Sequence, residues 1–178
     1  MEQKVILVDS KDREVGLDGK MHAHMHGGKL HRAISIFVFN SNGETMLQQR
    51  AESKYHSKGL WSNTCCSHPF EGESTMDAAR RRLMEEMGFG CRLNEAFSFI
   101  YHVPVGGGLT EYEFDHVLFG IYNRKPRINM DEVKDWRWIG MKSLKSEIKD
   151  NPDAYTPWLR ILVKGRLYEE IRKFMDGR

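Results

Sequence analysis

Residues 31–50 predict two β-strands joined at Asn42-Gly43. Residues 31–40 are rich in β-branched and aromatic side chains, and a second such segment spans residues 45–50. Asn-Gly is frequent in tight hairpin turns because both residues tolerate positive φ. The pattern predicts a β-hairpin, so any fold of this chain is expected to contain a sheet built on these strands.

Other periodic segments predict the elements around that sheet. Residues 74–87 predict a helix that Ser74 caps at its start and Gly88 ends, with four apolar residues on one face: Ala78, Ala79, Leu83 and Met87. Further strands are predicted at 4–9, 92–102, 112–122 and 135–139, and helices at 141–149 and 157–175. The run Gly106–Gly108 predicts a turn between strands. This order predicts one α+β domain over residues 1–178, a mixed β-sheet covered by helices.

Composition excludes several classes of protein. The 178 residues are 40% hydrophobic and 29% charged, as in globular proteins. No apolar run approaches the ~20 residues of a membrane span, and the N-terminus does not resemble a signal peptide. The net charge is +2 and the basic residues are dispersed. We therefore expect a cytoplasmic monomer with no nucleic-acid or membrane partner. The three cysteines do not indicate a disulfide framework.

Histidines are concentrated between residues 21 and 31. His22, His24 and His26 alternate, and His31 follows. Alternating residues share one side of an extended segment, and imidazole is a common ligand of transition metals. A solvated loop that happens to contain histidines is the alternative, and this cluster alone does not decide between them.

Two short motifs carry groups that could perform chemistry. Cys66 and His68 could form an acid–base pair, a nucleophile with its base, or a metal site, although a buried structural cysteine is commoner. Glu111 and Glu113 share one face of a predicted strand. Two adjacent carboxylates are costly unless a cation lies between them or one is protonated; a solvated strand end is the alternative.

Four basic residues stand singly in the sequence, and each alone is typical of a protein surface. Together with the start of the helix near residue 74, they could surround a diphosphate. They are Lys20, Arg50, Lys54 and Arg82.

The segment Gly72–Gly88 (GESTMDAARRRLMEEMG), within residues 67–88, resembles the Nudix box, which binds metal-chelated diphosphates. Five positions match the box: Glu73, Arg81, Glu85, Glu86 and Gly88. Two positions depart from it. Ser67 replaces the first glycine, and Arg82 replaces a glutamate that is central to metal binding and water activation in Nudix hydrolases.

Arg82 is instead typical of type I isopentenyl diphosphate isomerases, which resemble Nudix proteins but catalyse a different reaction. The similarity runs from about Val5 to Trp158, and its departures are Cys65 and the pair Phe70-Glu71. The matching motifs are His24 and His31, Arg50 and Lys54, Trp61–Asn63 leading into Cys66–Pro69, Glu111 and Glu113, and Thr156–Trp158.

This resemblance implies a divalent metal, Mn²⁺, Mg²⁺ or Zn²⁺, held by five residues: His24, His31, His68, Glu111 and Glu113. It implies a second Mg²⁺ that arrives with the substrate diphosphate and is bound by Glu86. His22 and His26 are then bystanders.

The implied reaction interconverts isopentenyl diphosphate and dimethylallyl diphosphate by a 1,3-hydrogen shift through a tertiary carbocation, as part of isoprenoid biosynthesis. Glu113, assisted by Tyr101, is expected to deliver one proton while Cys66, as thiolate, removes the other. The opposite assignment of acid and base stays open.

The resemblance also assigns the groups that bind substrate. Trp158 is expected to face the carbocation, and Lys20, Arg50, Lys54 and Arg82 to hold the diphosphate. The alternatives are a Nudix hydrolase of nucleoside diphosphate derivatives and a non-catalytic metal- or nucleotide-binding module. Arg82 argues against the hydrolase, and the Cys66/Glu113 pair has no use in either alternative.

Overall fold

Residues 3–177 are described in this computed structural model, and they form nine strands and five helices. The strands are β1 Lys4–Val8, β2 Glu14–Gly19, β3 His31–Phe39, β4 Glu44–Arg50, β5 Trp61–Ser62, β6 Cys65–Ser67, β7 Leu93–Gly106, β8 Leu109–Ile121 and β9 Val133–Gly140. The helices are α1 Lys20–His24, α2 Thr75–Met87, α3 Met141–Asp150, α4 Pro157–Lys164 and α5 Leu167–Asp176.

The predicted turn at Asn42-Gly43 forms, but the two strands part beyond it. β3 and β4 are paired at Phe39 and Thr45. β3 then lies parallel to β8 from His31 to Phe39, and β4 lies antiparallel to β9. The prediction of a regular hairpin is therefore wrong past the turn. β3 is buried along almost its whole length, so it needs apolar partners on both sides that a hairpin cannot supply.

The predicted mixed sheet and its helical covering are confirmed. β7 and β8 form a long antiparallel hairpin around Gly106–Gly108, and the β3–β8 pair supplies the parallel component. Helix α2 covers one face of the sheet, where Ala78, Ala79, Leu83 and Met87 are fully buried as predicted. Helices α3, α4 and α5 cover the other face. The candidate site lies at one end of this second face.

The ends of α2 follow the sequence signals. The Ser74 hydroxyl accepts the backbone N–H of Asp77 at 3.1 Å, and Gly88 ends the helix with φ 69°. A Cβ at Gly88 would lie 2.3 Å from the carbonyl oxygen of Arg127, so this position requires glycine.

The single helix predicted for residues 157–175 is instead two helices. Gly165 leaves the helical conformation with ψ −142°, and α5 starts at Leu167. The break lets each short helix turn its own apolar residues to the core, Leu159 and Leu162 from α4 and Leu167 and Ile171 from α5.

Within the described chain, no helix combines the length and the apolar character that crossing a membrane requires.

Candidate active site

The register of three adjacent strands aligns three functional side chains. Glu113 on β8 is the partner of His31 on β3 and of Tyr101 on β7. Register partners project to the same face of a sheet, so these side chains form one row. The Tyr101 hydroxyl donates to Glu113 Oε2 at 2.6 Å. This row is the base on which the rest of the site is assembled.

Two histidines and a second carboxylate complete a buried cluster with that row. His24 comes from the end of α1, His68 follows β6, and Glu111 lies two residues before Glu113 on β8. One ligand atom from each of five residues lies within 4.8 Å of all the others: His24, His31, His68, Glu111 and Glu113. The sequence named these five residues, and the structure brings them together.

The backbone around His24 differs from the prediction. Residues 20–24 form a helical turn and not an extended segment, and the His24 side chain bonds to the carbonyl of Lys20 one turn earlier. His22 is turned outward to Asp18, and His26 is exposed. Neither belongs to the five-residue cluster.

Backbone carbonyls fix the orientation of two of the imidazole rings. His24 Nδ1 donates to the Lys20 carbonyl and His31 Nδ1 to the Lys29 carbonyl, each at 2.7 Å. In the neutral rings, each Nε2 therefore presents a lone pair to the cluster. His24 Nε2 has no hydrogen-bond partner among the described residues. This arrangement is typical of histidines that bind metal ions.

Burial favours the neutral form of most of these rings. It lowers the pKa of His24 to about 4, and it lowers the pKa of His68 well below its usual value. Burial also acts to lower the pKa of His31, but the adjacent Glu113 carboxylate outweighs it and raises that pKa. Neutral imidazole is the form that binds metals.

Glu113 is held as a carboxylate by its neighbours. Burial acts to raise its pKa, but the polar side chains of Glu111, His31 and Tyr101 around it lower that pKa to about 2. His68 Nε2 lies 2.9 Å from Glu113 Oε1. Burial and the carboxylate charges raise the pKa of Tyr101, so its hydroxyl stays protonated as a donor.

The donor set fits a divalent ion. Three imidazoles and two carboxylates suit a borderline transition metal, and a cation would relieve the repulsion between Glu111 and Glu113. It would also give the buried His24 Nε2 a partner. The cluster could therefore bind a divalent metal ion.

A pocket opens beside this cluster on the same face of the sheet. Cys66 on β6 pairs with Ser35 of β3, so its side chain points to the face that carries His31. Cys65 points to the opposite face and is fully buried in the core beneath α2. The pocket is lined by Lys20, Arg50, Lys54, Tyr55, His56, Cys66, Ser67, His68, Arg82, Tyr101, Glu111, Glu113 and Trp158.

The Cys66 thiol is protonated in this environment. Burial raises its pKa to about 12, although the charge of Arg50 acts in the opposite direction. Burial therefore acts against the thiolate expected from the sequence by removing water from the sulfur, and the charge of Arg50 offsets only part of that effect.

Trp158 is fixed at the first turn of α4. Its indole Nε1 donates to Ser62 Oγ at 3.0 Å and to Asn63 Oδ1 at 3.1 Å. The Arg50 guanidinium lies 5.3 Å from the ring centroid. The ring is buried and its polar atom is satisfied, so its apolar surface is rigidly presented to the pocket.

Four cations gather at the mouth of the pocket, and two of them, Lys54 and Arg82, are paired with carboxylates of this chain. Lys54 and Arg82 both bind Glu132, which precedes β9, Arg82 at 3.3 Å. Arg82 also bonds to Glu85 at 2.8 Å and to Glu86. Glu85 and Glu86 of the Nudix-box helix therefore pair with Arg82, the residue that replaces a glutamate of the Nudix hydrolases.

Glu86 does not belong to the five-residue cluster. It is buried in α2, where it accepts from Gln48 Nε2 at 2.8 Å and pairs with Arg82. Its binding of a second Mg²⁺ stays a prediction.

Four residues of the site were missed from the sequence. Tyr55, His56 and Ser67 line the pocket, and Glu132 occupies the cations at its mouth. Tyr55 and His56 lie in an irregular loop whose position no periodic pattern predicts. Their closeness in sequence to Arg50 and Lys54 is the one signal that could have suggested them.

Comparisons with known proteins agree with this geometry. Residues 29–159 match the NUDIX domain family. An isopentenyl-diphosphate Delta-isomerase 2 of Aromatoleum aromaticum is 56% identical over 159 residues, which cover 89% of this chain and 84% of that protein. An isopentenyl-diphosphate Delta-isomerase 2 of Photorhabdus laumondii is 47% identical over 174 residues, 98% of each chain.

Solved structures share the fold at low identity. Protein DR0079 of Deinococcus radiodurans has a TM-score of 0.77 at 20% identity, covering 91% of this chain and 98% of that one. A MutT NUDIX hydrolase of Burkholderia pseudomallei has a TM-score of 0.59 at 17% identity, covering 76% and 97%. These likenesses support the fold, whereas the sequence relatives define a narrower group. The chain therefore belongs to the isopentenyl-diphosphate Delta-isomerase family of NUDIX-domain proteins.

Proposed function

We propose that this protein interconverts isopentenyl diphosphate and dimethylallyl diphosphate by a 1,3-hydrogen shift through a tertiary carbocation. The observation that carries the proposal is one pocket lined by Cys66, Glu113 and Trp158. An alkene that gains one proton and loses another needs two proton-transfer groups at the same substrate. Family membership and the names of the relatives support the same reaction.

Cys66 and Glu113 act as the proton-transfer pair. The reaction is reversible, so the group that gives a proton in one direction takes it back in the other. Tyr101 donates to Glu113 Oε2 at 2.6 Å and so orients that carboxyl group. Burial raises the pKa of Cys66 and the neighbours of Glu113 lower its pKa, which favours Cys66 as the acid and Glu113 as the base; the opposite assignment, with Glu113 as the acid, stays open.

The residues that would hold a divalent ion are His24, His31, His68, Glu111 and Glu113. Bound there, the ion would offset the negative charge on the two carboxylates and make a protonated Glu113 a stronger acid. We propose Mn²⁺, Mg²⁺ or Zn²⁺ for this site.

Trp158 stabilises the carbocation and excludes water from it. An indole face next to a positive charge contributes about 2 kcal/mol in a desolvated pocket. Hydrogen bonds from Nε1 to Ser62 and Asn63 hold the ring in place, so stabilisation of the cation requires no rearrangement of the ring.

The cations at the mouth receive the diphosphate. Lys20, Arg50, Lys54 and Arg82 all line the pocket, and together they offer four positive charges. The diphosphate would replace Glu132 as the partner of Lys54 and Arg82. The family resemblance implies a second Mg²⁺ that is carried by the substrate and bound by Glu86. That ion would then compete with Arg82 for the Glu86 carboxylate.

Hydrolysis of nucleoside diphosphate derivatives is the competing function, and Arg82 argues against it. The guanidinium pairs with Glu85 and Glu86, the box carboxylates that a hydrolase would use for metal ions. The buried metal-binding cluster lies elsewhere, on β3, β8 and the segments beside them.

The test is an assay that measures both isomerisation and hydrolysis by one protein preparation. The metal-loaded protein is incubated with isopentenyl diphosphate, and separately with ADP-ribose, while products and released phosphate are measured. Formation of dimethylallyl diphosphate without phosphate supports the isomerase; phosphate or monophosphate from either compound would favour the hydrolase. Arg82→Glu, which restores the hydrolase residue, is expected to lose isomerisation, and a gain would contradict the assigned role of Arg82.

The location, oligomeric state and partners of the enzyme are also proposals. We propose a cytoplasmic monomer that serves isoprenoid biosynthesis, with isopentenyl diphosphate as its partner and without nucleic-acid or membrane partners. Size-exclusion chromatography with light scattering measures the oligomeric state directly.

A further inference from the structure

His56 is a buried histidine that the proposed chemistry does not use. It lies in the loop between β4 and β5, and its side chain is 3% exposed. Its Nε2 lies 2.9 Å from Glu111 Oε1, a close polar contact inside the buried site. His56 is outside the five-residue cluster but contacts one of its members directly.

This contact gives the two oxygens of Glu111 different surroundings. Oε1 contacts His56 Nε2, whereas Oε2 lies 3.8 Å from His24 Nε2 and 3.4 Å from the Tyr101 hydroxyl. Oε2 is therefore the oxygen turned toward the cluster. Rotation of the carboxylate would separate Oε1 from His56 inside a buried site, where a polar group is costly without a partner.

Loop contacts surround the His56 ring. Ser57 Oγ lies 3.1 Å from His56 Nδ1, within hydrogen-bonding distance. Arg50 Nη2 donates to the His56 carbonyl at 3.1 Å. Ser57 has φ 50°, a left-handed conformation that few non-glycine residues adopt. The backbone is thus held in an uncommon shape at the residue that follows His56.

The ring also contacts the hydrophobic side of the pocket. Its centroid lies 5.8 Å from that of Trp158 at an interplanar angle of 88°. His56 therefore touches a proposed metal ligand through its polar edge and the proposed carbocation-stabilising ring through its edge-to-face contact.

We propose that His56 is a positioning residue that fixes which oxygen of Glu111 faces the metal site. This inference rests on the proposed metal-dependent function. Residues that orient metal ligands through hydrogen bonds change metal affinity by 10–100-fold when they are replaced. The expected role is therefore in metal retention, with the fold left intact.

The test compares Mn²⁺ binding by the full-length protein and its variants, after removal of bound metal with a chelator. The free Mn²⁺ signal in electron paramagnetic resonance gives the dissociation constant. His56→Phe keeps a ring against Trp158 but removes the polar contact with Glu111, so its dissociation constant is expected to rise about 10–100-fold. His56→Gln keeps a polar group that can contact Glu111 and is expected to recover most of the lost affinity. His26→Phe, at an exposed histidine, is the matched control and should bind as the wild type does.

The outcomes separate this inference from the proposed function. Wild-type protein that binds no Mn²⁺ would remove the metal site and, with it, the role of His56. Wild-type binding with an unchanged dissociation constant in folded His56→Phe would overturn the role of His56 and leave the metal site standing. If His56→Phe does not fold, His56→Met replaces it, with a flexible apolar side chain in the same space, and the same criteria apply.

Discussion

The inner end of the pocket and its mouth differ in how their functional groups are partnered. At the inner end, His24 Nε2 and His68 Nδ1 are buried without a hydrogen-bond partner among the described residues. At the mouth, Lys54 and Arg82 are paired with Glu132, and Arg82 also with Glu85 and Glu86. The inner end thus has ring nitrogens without partners, whereas these two cations already have carboxylate partners within the protein.

The difference assigns different tasks to the two ends. Buried polar atoms without partners are costly, so the inner end is rigidly prepared for a cation that supplies them. At the mouth, the diphosphate must displace Glu132 from Lys54 and Arg82, so each of these two cations contributes only the difference between two ion pairs. We therefore expect substitutions at the inner end to change the rate of reaction and those at the mouth to change substrate affinity.

The largest effect is expected at Cys66. Cys66→Ala removes one of two proton-transfer groups, so kcat should fall by about 10²–10⁴-fold or more while the fold is kept. The matched control is Cys65→Ala, because Cys65 points to the opposite face and lies in the core. It should keep substantial activity. Steady-state kinetics and thermal unfolding of both variants make the comparison, and loss of activity in Cys65→Ala alone would place the reacting thiol one residue earlier.

A smaller effect is expected at Trp158. Trp158→Leu removes the aromatic face, and about 2 kcal/mol of lost carbocation stabilisation corresponds to about a 30-fold fall in kcat. Trp158→Phe keeps a ring and should lose less. Equal losses in the two variants would show that the indole contributes packing only, and NMR analysis for a tertiary alcohol product would detect water trapping of the cation.

At the mouth, Lys20 is expected to make substrate affinity depend on pH. Burial and the repulsion of Lys54 and Arg82 lower the pKa of Lys20 to about 8. The diphosphate prefers the protonated ammonium, so KM should be flat below that pH and rise by up to about tenfold per pH unit above it.

The control for this titration is Lys20→Arg, whose charge persists throughout. Its KM should stay flat across the same range, and kcat of the wild type should not follow the rise in KM. A rise of the same size in Lys20→Arg would assign the titration to another group.

The smallest effect is expected at Glu132. Glu132→Gln removes the carboxylate that competes with substrate for Lys54 and Arg82, so KM should fall. Partly exposed ion pairs are worth at most about 1 kcal/mol, which limits the gain to about fivefold. Glu95→Gln, which removes a partner of His116 away from the pocket, is the control. An increased KM in Glu132→Gln would mean that Glu132 orients the cations and does not compete with substrate.

The sequence predicted the parts of the fold that local patterns determine. The cap at Ser74, the glycine that ends α2 and the turn at Gly106–Gly108 depend on neighbouring residues, and all of them form. The splayed β3–β4 pair was not predictable in this way. β3 pairs with β8 and β4 with β9, and both partners are distant in sequence. The Asn-Gly turn does not indicate which strands will pair with β3 and β4 beyond it.

The candidate site likewise combines features that the sequence indicates with features that depend on the tertiary fold. The five cluster residues were found through a family resemblance, because the residues alone left the histidine and glutamate motifs ambiguous. Their convergence depends on the parallel register of His31 with Glu113, which is a tertiary property. His56 and Glu132 escaped because they lie in irregular segments and act through ion pairs or hydrogen bonds formed only in the folded chain.

The central claim is that two protein groups exchange protons with one alkene inside this pocket, and deuterium incorporation tests it most directly. Isopentenyl diphosphate is incubated with the metal-loaded protein in D₂O, and the product is followed by NMR. The account predicts dimethylallyl diphosphate that carries deuterium in its newly formed methyl group, with the diphosphate intact. Product without deuterium would indicate an internal hydrogen transfer, and release of phosphate would indicate hydrolysis; either result would contradict the account.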